Sequence, residues 1–172
     1  MAEALADIAR VTGLGMVTIR ADLDRAGDAI AEAAGLAIPG QTRIVTDGSR
    51  SLGWMSPDEL LLILPSAELA DAIAALTDAL ASEHALVADV SDARAVFDVT
   101  GPHAGDVIEK LMPVDLDDLP ADGLRRSRAA QTAAALWRIP DGFRLIGFRS
   151  TADYLRLILE NAAIPGSGLA PR

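Results

Sequence analysis

An internal repeat is the feature that most limits how this chain can fold. Segments 52–66 and 136–150 each contain an apolar run, a Pro-Asp dipeptide, a second apolar run and a serine. The dipeptide begins at Pro57 in the first segment and at Pro140 in the second. Proline presets the backbone for a turn and the following aspartate accepts local backbone hydrogen bonds, so both segments predict β-hairpins.

A helix is predicted after each hairpin. Ser66 and Ser150 are the expected N-caps, because a serine hydroxyl can accept a hydrogen bond from a free N–H of the first helical turn. The residues that follow are apolar at helical spacing, which favours amphipathic helices packed on a sheet. The two stripes consist of Leu69, Ile73, Leu76 and Leu80 in the first helix, and of Ala152, Leu155, Ile158, Leu159 and Ala162 in the second.

Each hairpin is also preceded by a strand and a helix. The predicted strands are residues 16–21 and 94–100, and the predicted helices are residues 22–34 and 102–112. The order strand, helix, strand, strand, helix therefore occurs twice, and an extra strand at 85–90 joins the copies. This pattern predicts an α+β fold of two tandem ferredoxin-like β-α-β-β-α halves with mainly antiparallel sheet.

A single domain is expected over residues 1–163. The chain has 172 residues, 51% of them apolar, which is enough for one well-buried core and too few for two ordinary domains. The first half is predicted at 15–81 and the second at 85–163. Residues 164–172 contain two prolines and two glycines, so we predict a flexible C-terminal tail.

Charge and composition narrow the possible partners and compartment. A net charge of −10 disfavours nucleic-acid binding, because it repels phosphate backbones. The chain has no cysteine, which excludes disulfides and thiol chemistry. The first twenty residues carry Glu3, Asp7 and Arg10 and lack an apolar run of signal-peptide length, so we expect a cytoplasmic protein.

Basic residues are concentrated around the second hairpin of this acidic chain. This concentration is either a solvated face with a few carboxylate partners or a docking surface for a partner protein. Arginine and tryptophan are enriched in interface centres, so Trp137 is included as an interface candidate, and Tyr154 and Leu157 on the last helix form a second candidate. The clustered arginines are Arg125, Arg126, Arg128, Arg138, Arg144 and Arg149.

Other polar residues favour structural over chemical roles. The acidic segment 114–123 lacks the spacing and the glycine of a calcium-binding loop, which predicts a solvated loop. His103, at the start of the helix over 102–112, could bind an anion or could be a partly exposed histidine with no chemistry. His84 follows Glu83 in a predicted turn and is expected to face solvent.

One motif joins the extra strand to the helix of the second half. Asp89 and Ser91 flank a turn, where short polar side chains hydrogen-bond to neighbouring backbone groups and so brace it. Gly101 and Pro102 then start the helix, and Ala104 follows in its first turn.

These residues resemble a known family. Asp89-Val-Ser91 followed by Gly101-Pro-His-Ala104 is similar to the aspartate-x-serine and glycine-x-x-alanine pattern of the folate-binding aminomethyltransferase (glycine cleavage T-protein-like) superfamily. The blocks 52–62, 89–111 and 135–155, in this order, resemble the gamma-subunit family of heterotetrameric sarcosine oxidases within it.

The resemblance implies a non-catalytic gamma subunit that supports assembly of the flavoenzyme that oxidatively demethylates sarcosine. It implies alpha, beta and delta subunits as partners, and a complex that carries FAD, FMN and NAD with tetrahydrofolate as co-substrate. The implied products are glycine, hydrogen peroxide and formaldehyde or 5,10-methylenetetrahydrofolate. No catalytic, cofactor-binding or metal-binding residue is assigned to this chain.

An alternative is an independent folate-binding protein or aminomethyltransferase-like enzyme of the same fold. In that superfamily a strand-borne acidic pair lies just before the segment that corresponds to residues 135–138. Residues 127–136 of this chain contain no carboxylate, and alanine can neither stabilise charge nor transfer a proton. The sequence therefore favours the subunit over the independent enzyme.

Overall fold

The structure, a computed structural model, describes residues 3–169 and contains two compact units. The first unit is formed by residues 13–92, and the second by the chain up to residue 12 together with the chain from residue 93. In chain order the elements are β1 (Asp7–Val11), β2 (Leu14–Arg20), α1 (Leu23–Ala34), β3 (Ile44–Asp47), β4 (Arg50–Ser56), β5 (Glu59–Pro65), α2 (Leu69–Ala79), β6 (Leu86–Asp89), β7 (Arg94–Thr100), α3 (Ala104–Leu111), β8 (Leu124–Ala129), β9 (Thr132–Ile139), β10 (Gly142–Phe148) and α4 (Ala152–Ala162).

Each unit contains one five-stranded antiparallel sheet, and the two sheets have the same topology. The strand order is β3-β4-β5-β2-β6 in the first unit and β8-β9-β10-β7-β1 in the second. Strand β1 precedes β2 in the chain but pairs with β7, whereas β6 precedes β7 but pairs with β2. Strand β1 therefore belongs to the second unit although it directly precedes β2 of the first unit in the chain. Strand β6 belongs to the first unit although it directly precedes β7 of the second.

Helices cover one face of each sheet and enclose a separate apolar core. In the first unit Val17, Ile19 and Leu62 on the strands pack with Ile30 of α1 and Leu76 of α2. Each of these side chains is fully buried, and such burial stabilises a fold by about 1.5–3 kcal/mol per side chain.

The core of the second unit is built in the same way. Phe97 and Leu136 on the strands pack with Ile108 of α3 and with Leu155 and Leu159 of α4. The α+β class with antiparallel sheets, predicted from the sequence repeat, is confirmed.

Both Pro-Asp hairpins form as predicted. Ser56 pairs with Glu59 across the first turn, and Ile139 pairs with Gly142 across the second. Asp141 has a φ of 62°, a left-handed conformation that aspartate tolerates better than most residues.

The predicted N-caps are wrong. Ser66 and Ser150 lie within short 3₁₀ turns, Ser66–Glu68 and Arg149–Thr151, and neither caps the following α-helix. The chain tightens into a 3₁₀ turn before each α-helix begins, so the helices α2 and α4 start three and two residues after the serines.

Three strands were not predicted from the sequence: β1, β3 and β8. Strand β3 has only four residues, and β8 contains three arginines among six residues, so neither shows the apolar alternation by which strands are recognised. Both occupy the same position in their units, next to the hairpin and at the edge of the sheet.

Hydrogen bonds tether the described part of the predicted tail. The ammonium group of Lys110 donates to the carbonyl of Ala162 at 2.7 Å and to the hydroxyl of Ser167 at 2.8 Å. The N–H of Leu169 donates to Asp106 at 3.2 Å. Residues 170–172, the end of the predicted flexible tail, lie outside the described residues, and the single domain over 1–163 stays a prediction.

Candidate functional site

Arg144, one of the predicted interface residues, forms an ion pair within the second unit. It lies on β10 directly opposite Asp98 on β7. Its Nε is 2.7 Å from Oδ1 of Asp98, and its second guanidinium nitrogen is 2.8 Å from Oδ2. The hydrogen bonds that Arg144 donates to the Asp98 carboxylate raise the pKa of Arg144 above its ordinary value. The pair is bidentate and largely withdrawn from water, with 25% of the Arg144 side chain and 21% of the Asp98 side chain exposed.

Arg138 is also engaged inside the second unit. Its guanidinium donates to the backbone carbonyls of Leu119 at 3.2 Å and Leu116 at 2.5 Å, and it stacks 5.2 Å from the centre of the Phe143 ring. Arg138 therefore holds the acidic segment 114–123 against the sheet, a role that the sequence did not indicate.

Trp137 is buried, with only 4% of its surface exposed. It lies on β9 opposite Leu124 of β8 and Arg144 of β10. The structure thus places three of the predicted interface residues where they are buried or engaged within the second unit: Arg138, Arg144 and Trp137.

The other predicted interface residues are exposed. Tyr154 and Leu157 on α4 are 40% and 54% exposed, and Arg149 lies at the surface just before that helix. The structure adds Phe148, which is 43% exposed and stacks 4.6 Å from the guanidinium of Arg94. Side chains alternate between the two faces of a strand, and Phe143 and Leu145 on β10 join the core. This alternation could have placed Phe148 on the opposite face of the strand.

Asp89 and Ser91 form a hydrogen-bonded brace in the first unit. One carboxylate oxygen of Asp89 accepts from the Ser91 N–H at 2.8 Å and from its hydroxyl at 2.6 Å. The Ser91 hydroxyl oxygen accepts in turn from the N–H of Met16 at 2.9 Å. The hydrogen bonds from Ser91, led by that of its hydroxyl, lower the pKa of Asp89. The motif ties the end of β6 to β2.

Gly101 lies where β7 leaves the sheet of the second unit. Its φ of 118° is a conformation that side-chain-bearing residues rarely adopt. Its N–H donates to the carbonyl of Asp141 and its own carbonyl accepts from Ala104, so the turn is held at both ends. Pro102 is exposed, whereas Ala104 is buried and belongs to the core of the second unit. The first turn of α3 therefore packs on that core.

The two histidines lie in different units. His103 is 59% exposed, and its Nδ1 is 3.7 Å from a carboxylate oxygen of Asp106, three residues further along the chain. His84 is exposed and lines a cleft of the first unit together with Glu83 and Arg25. Among residues 3–169 no group of three histidine, cysteine or acidic side chains could hold a metal ion.

A cleft of about 860 Å³ lies in the second unit beside the start of α3. Its charged lining consists of Asp106, Glu109, Asp117 and Asp141, with Arg138 as the basic residue. Because the Arg138 guanidinium is already bonded to backbone carbonyls, this lining disfavours the anionic phosphates of a flavin or nicotinamide dinucleotide.

A profile of the sarcosine oxidase gamma subunit family matches residues 20–165. The chain belongs to this family. A gamma subunit from an Arthrobacter species is 33% identical over 142 residues, which is 80% of this chain and 68% of that protein. A gamma subunit from Corynebacterium sp. strain P-1 is 41% identical over 91 residues, and the match spans about half of this chain and only 43% of that relative.

Solved structures place this gamma-family chain in a wider fold group. A heterotetrameric sarcosine oxidase from Corynebacterium sp. U-96 contains a similar chain, with a TM-score of 0.87 at 25% identity, covering 97% of this chain and 88% of that one. An aminomethyltransferase of the glycine cleavage system from Bartonella henselae shares the fold, with a TM-score of 0.65 at 16% identity. The match covers 90% of this chain and 45% of the transferase. The fold predicted from the resemblance is confirmed.

The hairpin of β8 and β9 contains the segment that lacks carboxylates. Residues 127–136 contain Arg128 and a run of alanines, and Ala129, Ala134 and Ala135 are buried. None of the helices within the described part of the chain has the length and apolarity needed to cross a membrane.

Proposed function

We propose that the chain is a non-catalytic gamma subunit that supports assembly of a heterotetrameric sarcosine oxidase. Its partners in this proposal are alpha, beta and delta subunits, and the assembled enzyme demethylates sarcosine to glycine. The co-products are hydrogen peroxide and formaldehyde or 5,10-methylenetetrahydrofolate. The observation that carries the proposal is the similarity over 97% of the chain to a chain found in a heterotetrameric sarcosine oxidase.

FAD, FMN, NAD and tetrahydrofolate would be bound by the other subunits in this proposal. The acidic lining of the cleft beside α3 supports this division, because bound phosphates would face four carboxylates. The alanine-filled hairpin supports it too, since residues 127–136 offer no carboxylate to position an amine or a folate. Location in the cytoplasm belongs to the same proposal.

The exposed apolar side chains near α4 form the proposed docking surface of the subunit. Tyr154, Leu157 and Phe148 expose large apolar areas close to Arg149, the combination that is enriched in interface centres. Three residues would support this surface from inside the second unit. Arg138 bonds to the segment 114–123, Arg144 links β10 to β7, and the buried Trp137 lies on β9.

Coexpression with the alpha, beta and delta subunits of a heterotetrameric sarcosine oxidase tests the proposal. We expect the chain to copurify with them, and its omission to lower the yield of assembled, yellow enzyme. Leu157→Arg should weaken copurification at least about tenfold, because a charge in an interface core costs several kcal/mol. Leu86→Arg is the matched control, since Leu86 is exposed to a similar degree (51%) but lies in the first unit.

The purified chain alone should be colourless and should produce no hydrogen peroxide from sarcosine. A yellow, active preparation of this chain alone would refute the proposal. An unchanged yield of active enzyme in its absence would contradict the assembly role.

The alternative, an independent folate-binding protein or aminomethyltransferase-like enzyme, is supported by the shared fold. Calorimetry with tetrahydrofolate separates the two. Heat of binding to the isolated chain would favour the alternative, whereas an absence of heat and of any thermal shift at millimolar ligand would favour the subunit.

A further inference from the structure

Helix α4 carries large apolar side chains on two of its faces. Its inner face belongs to the core of the second unit. The row on its outer face is exposed at every position and consists of Tyr154, Leu157, Asn161 and Ile164. These residues follow one another at intervals of three, four and three, the spacing at which side chains on one helix meet a second helix. A helix that packs on a core through one face is normally polar on the other.

The internal repeat offers a comparison for this outer row. Helix α2 takes the place of α4 in the first unit, and its core residues Ala72 and Leu76 correspond to Leu155 and Leu159. In this alignment the outer row of α2 is also exposed and consists of Asp71, Ala74, Asp78 and Ala81. Charged and small side chains are typical of a solvated helix face. The fold therefore does not require the large apolar side chains that α4 exposes.

A line of four charges runs beside the apolar row. It begins in the 3₁₀ turn before α4 and consists of Arg149, Asp153, Arg156 and Glu160. The signs alternate, and the intervals of four, three and four residues are the same from either end. Read backwards, the line therefore has the same spacing and the opposite signs. Such a line is complementary to a second copy of itself in antiparallel orientation.

In an antiparallel pair, Asp153 of one copy would face Arg156 of the other. Arg149 would face Glu160 in the same way. A parallel pair would instead place each charge opposite its own copy, which is repulsive at every position. The charges of the line cancel, so the net charge of −10 that the whole chain carries is not concentrated where the two helices would meet.

The charges would set the orientation of the pair, and the apolar row its affinity. Arg156 already contacts Glu160 at 2.8 Å within α4, and their side chains are 43% and 46% exposed. Exposed ion pairs of this kind contribute only about 0.2–1 kcal/mol. Burial of an aromatic or leucine side chain contributes about 1.5–3 kcal/mol, so Tyr154 and Leu157 would supply most of the binding free energy.

We propose that the outer face of α4 binds α4 of a second copy in antiparallel orientation, so that the isolated chain forms a twofold dimer. In this dimer the two Tyr154 side chains pack beside the twofold axis and are flanked by the two Leu157 side chains. The same row belongs to the docking surface for the oxidase subunits, so that self-pairing and assembly exclude each other. This exclusion rests on the function proposed above, whereas the self-pairing rests on the residues of α4 alone.

Sedimentation velocity of the full chain over a range of concentrations tests the self-pairing. We expect a monomer–dimer equilibrium with a dissociation constant on the order of 10 μM, because a single helix pair is at the small end of protein interfaces. A chain that remains monomeric up to about 500 μM would overturn the proposal.

Leu157→Arg should raise the dissociation constant of the dimer at least about tenfold, because it places a charge in the buried row. Leu86→Arg is the matched control, since Leu86 is 51% exposed, close to the 54% of Leu157, but lies on β6 of the first unit. Its dissociation constant should stay within about twofold of that of the unaltered chain. An equal loss in both variants would overturn the proposal, as would a dimer that Leu157→Arg leaves intact.

A charge reversal tests the antiparallel orientation. Asp153→Arg alone should weaken the dimer about tenfold, because two attractive contacts become repulsive. Adding Arg156→Asp restores opposite signs across the twofold axis, so the double variant should recover to within about threefold of the unaltered chain. Failure to recover would overturn the antiparallel pair. The recovery also controls for folding, because the double variant contains the same Asp153 substitution.

Addition of the alpha, beta and delta subunits tests the exclusion. We expect the dimer to dissociate into complexes that contain one copy of the chain, and complexes that retain the α4 pair would overturn the exclusion. A monomeric chain that copurifies with these subunits would refute only the self-pairing. A dimeric chain that copurifies with none of them would refute only the proposed function.

Discussion

Replacement of Asp98 by alanine should destabilise the second unit, because it leaves the guanidinium of Arg144 largely buried without its carboxylate. The two side chains face each other across β7 and β10, with charged contacts of 2.7 and 2.8 Å. About a quarter or less of each side chain is exposed. Solvent therefore replaces the lost contacts only in part.

The size of the effect follows from this partial burial. A fully exposed ion pair contributes about 0.2–1 kcal/mol, and removing one partner of a fully buried pair costs about 3–5 kcal/mol. Asp98→Ala should lie between these limits and lower the free energy of unfolding by about 2 kcal/mol. In a double-mutant cycle with Arg144→Ala, the coupling should be about 1–2 kcal/mol.

Urea unfolding followed by tryptophan fluorescence can isolate this unit. Trp54 lies on β4 of the first unit and Trp137 on β9 of the second, so a Trp54→Phe background leaves a reporter in the second unit alone. Glu160→Ala is the matched control. Glu160 pairs with Arg156 along α4, but both side chains are more than 40% exposed, so the loss should be about 0.5 kcal/mol or less.

Two results would refute the reasoning. A coupling energy no larger than that of the exposed Arg156 pair would show that water screens the Asp98–Arg144 pair as well. A loss from Asp98→Ala that persists unchanged in the Arg144→Ala background would show that Asp98 acts through its backbone or its packing rather than through the ion pair.

Two further predictions concern a close backbone contact and a pH-dependent brace. Gly142→Ala should lower the free energy of unfolding by about 1–3 kcal/mol, measured in urea, because the added Cβ would meet the Val99 carbonyl, which cannot move aside as a side chain can. Gly105→Ala, in helix α3, should instead be neutral or stabilising, because its added Cβ would make only an ordinary van der Waals contact with the Leu116 side chain at 3.6 Å. Ser91→Ala should raise the pKa of Asp89 towards its ordinary value in an NMR titration, and an unchanged pKa would contradict the brace. Since the folded pKa of Asp89 is lowered, the carboxylate stabilises the fold above its unfolded pKa, and this contribution is lost as pH falls through the folded pKa. The stability difference between the variant and the unaltered chain should therefore shrink in that acidic window to the part that comes from the hydrogen bond between the Met16 N–H and the Ser91 hydroxyl.

The sequence by itself determined the repeated local structure. Both Pro-Asp hairpins, the strand and helix before each and the helix after each could be predicted, because turn chemistry and apolar period are properties of neighbouring residues. The resemblance to the gamma-subunit family also came from the sequence, because the order of residue types in 89–111 and in the two hairpin segments is similar to that family.

Tertiary structure decided which strands pair at long range and which polar residues are already engaged. Strand β1 pairs with β7 and not with its sequence neighbour β2, and β8 becomes an edge only because the sheet ends there. Arg144 pairs with Asp98, which is 46 residues away along the chain. Arg138 donates hydrogen bonds to two backbone carbonyls of the segment 114–123, and Trp137 is buried. Such contacts depend on the path of the whole chain, which no local pattern encodes, whereas Tyr154 and Leu157 remain exposed because nothing within the described chain covers that side of α4.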